Sequence, residues 1–139
     1  TKYFQSLSDL VNLINEGWGP GIDVSDHAQH VRCLGLLLHC CDISNPGKEW
    51  SIYCEWTDKV MQEFNEEYDE ETALGLPHGF FNPSTPLPQF QKGFLGFVVN
   101  PLFQAMNDID GIELSKPLAY IDANIKAWDM KISEGLKAD

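Results

Sequence analysis

Apolar residues recur every three or four positions along almost the whole chain, and no stretch alternates apolar with polar residues as a half-buried strand does. Such spacing gives each segment one apolar face, which is typical of helices packed around a shared core. The pattern predicts an all-α fold, a compact multi-helix bundle. We expect helices at 4–14, from a cap at Asp23 or Ser25 to Cys41, and then at 48–64, 69–74, 89–106 and from Ser115 onward.

Proline and glycine mark the ends of these predicted helices. Residues 76–88 contain four prolines, which favours a surface loop. Pro101 falls inside the predicted helix 89–106 and removes one backbone hydrogen bond, so we expect a bend there. On that helix Phe94 and Phe97 are expected to point inward. Residues 33–41 are apolar on nearly all sides, which predicts burial within a larger all-α body.

Size and charge narrow the classes of function. A chain of 139 residues fits one domain. Its net charge of −12 counts against binding nucleic acid through phosphate contacts, and an anionic substrate would need bound cations. No apolar run reaches the length of a membrane span, and no cationic leader precedes an apolar stretch. These features predict a cytoplasmic protein without a membrane segment in this chain.

The cysteines do not form a recognisable metal or disulfide pattern. The four of them, Cys33, Cys40, Cys41 and Cys54, include no C-x-x-C pair and are irregularly spaced. We expect buried, reduced thiols.

Two histidine spacings raise the question of a metal site. His27 and His30 are three residues apart, as are His39 and Asp42, and such pairs share a helical face. A structural or surface role explains these pairs as well. A carboxylate at the end of a nearly all-apolar helix, as Asp42 is, costs free energy when buried unless it is paired, hydrogen-bonded or bound to a metal. The alternative is that Asp42 caps the turn before Pro46.

A second candidate site combines an amide and an aromatic ring. Gln91 and Phe94 are three residues apart and therefore face the same way on a helix. An amide both donates and accepts hydrogen bonds, so it can read the edge of a base while a ring stacks on its face. Packing of Phe94 in the core is the alternative.

Taken together, these motifs resemble those of the class I cyclic-nucleotide phosphodiesterases. The resemblance covers about residues 28–106 and rests on four elements in order: HCCDISNP at 39–46, WTD at 56–58, QEF at 62–64, and QKGF at 91–94 followed by Pro101 and Leu102. It implies that Asp42 ligates one of two divalent metals, Zn²⁺ with Mg²⁺ (or Mn²⁺). The implied reaction is attack by hydroxide on phosphorus, which opens the 3′ ester of cAMP or cGMP to give a 5′-monophosphate.

The resemblance also assigns a substrate pocket. Gln91 corresponds to the purine-binding glutamine, Phe94 to the stacking phenylalanine and Val60 to the apolar residue on the other side of the base. Further positions match the pocket, with Tyr53 a candidate for orienting the glutamine amide: Asn45, Tyr53, Trp56, Met61 and Phe64. For Trp56, Met61 and Phe64, core packing is an equal alternative.

Two departures from the family pattern limit the prediction. Residues 67–69 read EYD where the family often has QGD. The upstream histidine that protonates the leaving oxygen, and the His-Asp motif that supplies the other metal ligands, have no counterpart in residues 1–139, so no catalytic residue is assigned in this chain. The sequence predicts the C-terminal part of a catalytic domain, inactive alone, whose partner is the rest of that domain. The alternative is an acidic helical interaction or regulatory module with a degenerate nucleotide pocket.

Overall fold

The computed structural model describes residues 26–135, apart from the side chain of Arg32, and this part of the chain contains no strand. The all-α prediction is confirmed. The predicted helix 4–14 lies outside the described residues. Five α-helices follow one another, with a 3₁₀ turn at Asn45–Gly47 and a π-helical turn at Leu95–Val99: α1 (His27–Asp42), α2 (Trp50–Leu74), α3 (Leu87–Phe94), α4 (Asn100–Asn107) and α5 (Ser115–Gly135).

Helix α1 begins later than predicted, because Asp26 is its cap. The Asp26 carboxylate accepts hydrogen bonds from the backbone N–H groups of Ala28 at 2.9 Å and Gln29 at 3.3 Å, two donors that the helix itself leaves unpaired. One face of α1 is buried against α4 and α5 in the main core, through Cys33, Leu36 and Cys40.

The opposite face of α1 is open to solvent. Val31, Leu34 and Leu38 are 54%, 54% and 65% exposed in this chain. They share a face because they are spaced by three and four residues. Burial of this face within a larger all-α body stays a prediction. We name this surface the α1 stripe. Within residues 26–135 no helix covers it.

Helix α2 is one continuous helix of 25 residues, where two shorter helices were expected at 48–64 and 69–74. No glycine or proline lies between Trp50 and Leu74, so nothing in the sequence interrupts it. Gly75 ends the helix with φ +65°, a conformation that is strained for residues with a Cβ. Helix α2 therefore presents one continuous face that runs from near the 3₁₀ turn to the proline-rich loop.

The predicted helix 89–106 begins two residues earlier and is interrupted before Pro101. Because Pro101 has no N–H to donate, the chain widens into the π turn, and the Asn100 N–H reaches back to the carbonyl of Leu95. Leu95 and Val99 are buried, whereas Phe97 is 84% exposed. The inward position predicted for Phe97 is wrong, since the wider turn changes which residues face the core.

Helix α5 begins at Ser115 as predicted and is central to the packing. Its buried residues Ile121 and Trp128 belong to the two neighbouring parts of the core, and it packs against α3, α4 and the 3₁₀ turn. Cys33 and Cys40 are buried but Cys41 is exposed, which corrects the expectation of four buried thiols; all four are free. No described helix is long and apolar enough to cross a membrane.

Candidate functional site

Three buried side chains from three helices form a continuous hydrogen-bond chain. Trp128 of α5 donates its indole N–H to the Tyr53 hydroxyl of α2 at 2.9 Å, and that hydroxyl donates to Oε1 of Gln91 on α3 at 2.8 Å. All three residues are less than 5% exposed. We name this set the amide chain.

The order of donors in the amide chain fixes the orientation of the glutamine. An indole N–H only donates, so the Tyr53 oxygen is the acceptor there and its own proton is directed to Gln91. Oε1 of Gln91 is thereby held toward Tyr53, and Nε2 is directed to the Met61 sulfur at 3.4 Å, a weak acceptor. An amide that would otherwise rotate is held in one orientation.

Burial extends the pH range over which Tyr53 stays in its neutral, donating form. Removal from water raises the pKa of the Tyr53 phenol from 10 to about 12, because the charged phenolate loses solvation. The hydroxyl therefore remains a hydrogen-bond donor well into the alkaline range.

One face of α2 collects the predicted pocket residues. Tyr53, Val60 and Phe64 are seven and then four residues apart, and Met61 lies beside Val60, so all four lie along one side of the helix. Tyr53 is fully buried and the other three are half-buried. Trp56 is 48% exposed, so the alternative of core packing is not supported for Trp56.

Phe94 is half-buried and lies one helical turn after Gln91 on α3. Its ring is nearly parallel to that of Phe80 from the proline-rich loop, with centroids 6.2 Å apart. An open groove of about 260 Å³ adjoins these rings and is lined by Phe80, Gln89, Phe90, Gly93, Phe94 and Val98. Gln91 does not line this groove, so the groove and the amide chain are separate features that share α3.

Asp42 is the last residue of α1 and is exposed. Because Asp42 is exposed, it does not carry the burial cost on which the metal hypothesis partly rested. The alternative, that Asp42 caps the turn before Pro46, is not supported either, because no side chain caps the Asn45–Gly47 turn. Among residues 26–135, no group of three or more His, Cys, Asp and Glu side chains is arranged to hold a metal ion. A single carboxylate does not complete a metal site, so the donors of this region do not fit a whole metal centre.

Asn45 is half-buried and is the first residue of the 3₁₀ turn, three residues after Asp42. This turn is held by a residue that the sequence reasoning did not consider. The amide of Asn124, which is 2% exposed on α5, donates to the carbonyls of Pro46 at 2.8 Å and Lys48 at 3.0 Å. The sequence does contain an indication of this role, because Asn124 is a polar residue on the apolar stripe of α5, between Ile121 and Trp128.

Comparison with known proteins shows to which family this fold belongs. The family model of 3′,5′-cyclic nucleotide phosphodiesterases matches residues 1–120. The chain belongs to this family.

Curated relatives are similar over most of the chain. A dual specificity calcium/calmodulin-dependent 3′,5′-cyclic nucleotide phosphodiesterase 1B from Cricetulus griseus is 41% identical over 101 residues, 69% of this chain. The 1C relative from Homo sapiens is 40% identical, with 76% of this chain covered. The chain spans 18% and 19% of the lengths of these two relatives.

Solved structures share the fold. The phosphodiesterase domain of Salpingoeca rosetta rhodopsin phosphodiesterase aligns with a TM-score of 0.75 at 27% identity, covering 97% of this chain and 41% of that one. The described helices are therefore those of a phosphodiesterase domain, of which this chain matches somewhat less than half.

Proposed function

We infer that this chain is the purine-binding part of an enzyme that hydrolyses 3′,5′-cyclic nucleotides to 5′-monophosphates. The observation that carries this proposal is the amide chain, because Trp128 and Tyr53 hold the Gln91 amide in one orientation. A purine edge presents both donors and acceptors, and an oriented amide is suited to recognise it. Phe94 then offers a ring face for stacking.

The remaining pocket residues complete this proposal. Val60 and Met61 lie on the α2 face that also carries Tyr53, so the base would lie between that face and Phe94. Asn45 and Asp42, at the end of α1, would lie toward the cyclic phosphate. In the reaction, the oxygen of water bonds to phosphorus, the P–O3′ bond breaks and the proton goes to O3′.

Divalent metals, proposed as Zn²⁺ with Mg²⁺ or Mn²⁺, would supply positive charge to attract and polarise the phosphate near an acidic protein. Because the described residues do not form a metal centre, we propose that Asp42 contributes one ligand and that the rest of the catalytic domain contributes the others. The α1 stripe supports this division, since an apolar face of this kind is usually covered in a complete domain.

The test compares this chain alone with the full-length protein that carries it, using cAMP and cGMP in defined Zn²⁺ and Mg²⁺. We expect 5′-monophosphate from the full-length protein and none from the 139-residue chain. Turnover by the isolated chain, abolished in Asp42→Ala, would show that the chain is complete by itself. A full-length protein that binds neither nucleotide would favour the interaction or regulatory module.

A further inference from the structure

Asn124 is a buried amide whose hydrogen bonds reach far along the sequence. Both of its contacts run from Nδ2, one to the carbonyl of Pro46 and one to that of Lys48, across 78 and 76 residues. An NH₂ group has two hydrogens, so each carbonyl receives one. These two carbonyls flank Gly47, and the amide therefore holds the backbone of the 3₁₀ turn from both sides.

A second contact holds the same turn against α5. A Cβ built on Gly47 would lie 3.1 Å from Cβ of Pro117, in the first turn of α5, which is closer than most real contacts. The turn thus approaches α5 closely at Gly47 and is hydrogen-bonded to it at Asn124. Pro46, between Asn45 and Gly47, is buried as a result.

The amide chain starts one helical turn further along the same face of α5. Asn124 and Trp128 are four residues apart, and Ile121 precedes Asn124 by three, so all three share one buried stripe. Trp128 acts through Tyr53 on Gln91, whereas Asn124 acts on the turn that contains Asn45 and follows Asp42. One rigid helix thereby contacts the elements proposed for both ends of the substrate.

We propose that Asn124 is a positioning residue for the hydrolysis: it fixes the Asn45–Gly47 turn on α5, and so sets the phosphate end of the site relative to the purine end that Trp128 fixes. This inference rests on the proposed function. It goes beyond the proposed function by assigning different roles to two residues of α5, Asn124 and Trp128. Losing Asn124 should affect catalysis more than purine recognition, and losing Trp128 should do the opposite.

The experiment uses the full-length protein with Asn124→Asp, Asn124→Ser, Trp128→Phe and the control Asp122→Asn, an exposed neighbour on α5. Asn124→Asp replaces the donor with an acceptor that faces two carbonyls, whereas Asn124→Ser keeps one donor. Three quantities are measured: kcat and KM for cAMP, Zn²⁺ affinity by chelator competition, and inhibition by adenosine, which lacks a phosphate. Thermal unfolding is recorded for each variant.

We expect Asn124→Asp to lower kcat by about 100-fold, the order of loss that a misplacement of about 1 Å causes, with weaker Zn²⁺ binding and adenosine inhibition within about twofold of wild type. Asn124→Ser should lie between Asn124→Asp and wild type. Trp128→Phe should weaken adenosine inhibition about tenfold and leave Zn²⁺ affinity unchanged, because one hydrogen bond of the amide chain is lost. Asp122→Asn should match wild type.

Gly47→Ala tests the same turn without changing Asn124. Its added Cβ meets Pro117 and must shift the turn by a few tenths of an ångström, so we expect a smaller loss of kcat with unchanged adenosine inhibition. This variant decides the question if both Asn124 variants fail to fold. If the wild type is active but its Asn124 and Gly47 variants lose adenosine binding and kcat by the same factor, this inference alone is overturned. A wild type that neither binds nor hydrolyses cyclic nucleotides overturns the proposed function and, with it, this inference.

Discussion

The amide chain and the end of α1 differ in how much of each site this chain supplies. Gln91, Tyr53 and Trp128 come from three helices and complete one another's hydrogen bonds within the described residues. Asp42 is exposed, has no described partner and belongs to no metal-binding cluster of residues 26–135. The comparison teaches that one part of a domain can orient a buried amide by itself, whereas a single exposed carboxylate does not make a metal centre. Four predictions test this difference.

The largest effect is expected for Asp42→Asn in the full-length protein. Loss of a metal-ligand charge should lower kcat by at least about 1,000-fold, because a bound metal stabilises transition-state charge by several kcal/mol. The melting temperature of the 139-residue chain should stay within a degree or two of wild type, because Asp42 is exposed and a surface change of this kind usually alters stability by no more than about 0.5 kcal/mol. Steady-state kinetics and calorimetry measure both. Asp110→Asn, at an exposed residue before α5, is the matched control. Undiminished turnover in Asp42→Asn would remove this residue from the metal site.

The second prediction concerns the alkaline stability of the amide chain. Because the folded-state pKa of Tyr53 is raised to about 12, its stabilising contribution is fully present below the unfolded pKa of 10 and is lost as pH rises through 12. We expect the free energy of unfolding to fall by about 2 to 3 kcal/mol over this window on account of Tyr53. Tyr53→Phe should remove this part of the pH dependence, whereas Tyr120→Phe should retain it. Urea unfolding from pH 9 upward gives the measurement, and equal slopes in the two variants would contradict the burial argument.

The third prediction concerns Gln91→Ala in the full-length protein. Losing one or two hydrogen bonds to the base should weaken cyclic-nucleotide binding by on the order of 1–3 kcal/mol. Gln104→Ala changes an exposed glutamine on α4 and should leave binding unchanged. Isothermal titration with a slowly hydrolysed nucleotide analogue separates the two variants. If Gln91→Ala binds as tightly as wild type, Gln91 does not contact the base.

The smallest effect on the folded chain itself is expected for the α1 stripe. Leu34→Gln with Leu38→Gln should change the unfolding free energy of the 139-residue chain by no more than about 0.5 kcal/mol per residue, because these side chains are already in contact with water. The same pair should weaken association with the rest of the domain when the two parts are expressed separately. Co-purification of the two parts provides the readout, with Leu36→Gln as a comparison that should unfold the chain. Unchanged co-purification in the Leu34 and Leu38 variant would mean that the stripe is not the covered face.

Local sequence patterns were sufficient to predict the helices and to select the candidate residues, but they did not predict which of the neighbouring residues are buried. The ends at Gly75 and Ser115 follow from residue chemistry that acts over a few positions. Whether Phe97 faces the core or the solvent does not follow from such local chemistry, because it depends on how the helix widens before Pro101. Within the described residues, the helix at 33–41 is buried on one face only, since burial depends on what packs against a helix as well as on its apolar residues.

The sequence by itself determined the all-α class, the family and the positions proposed for substrate and metal, because spacing and motif order lie in the linear chain. Only the tertiary structure decided that Trp128 fixes the amide of Gln91 through Tyr53, and that Asn124 fastens the turn beyond Asp42. Those contacts join residues 38 to 78 positions apart, and a hydrogen bond between such distant residues exists only once the helices have packed.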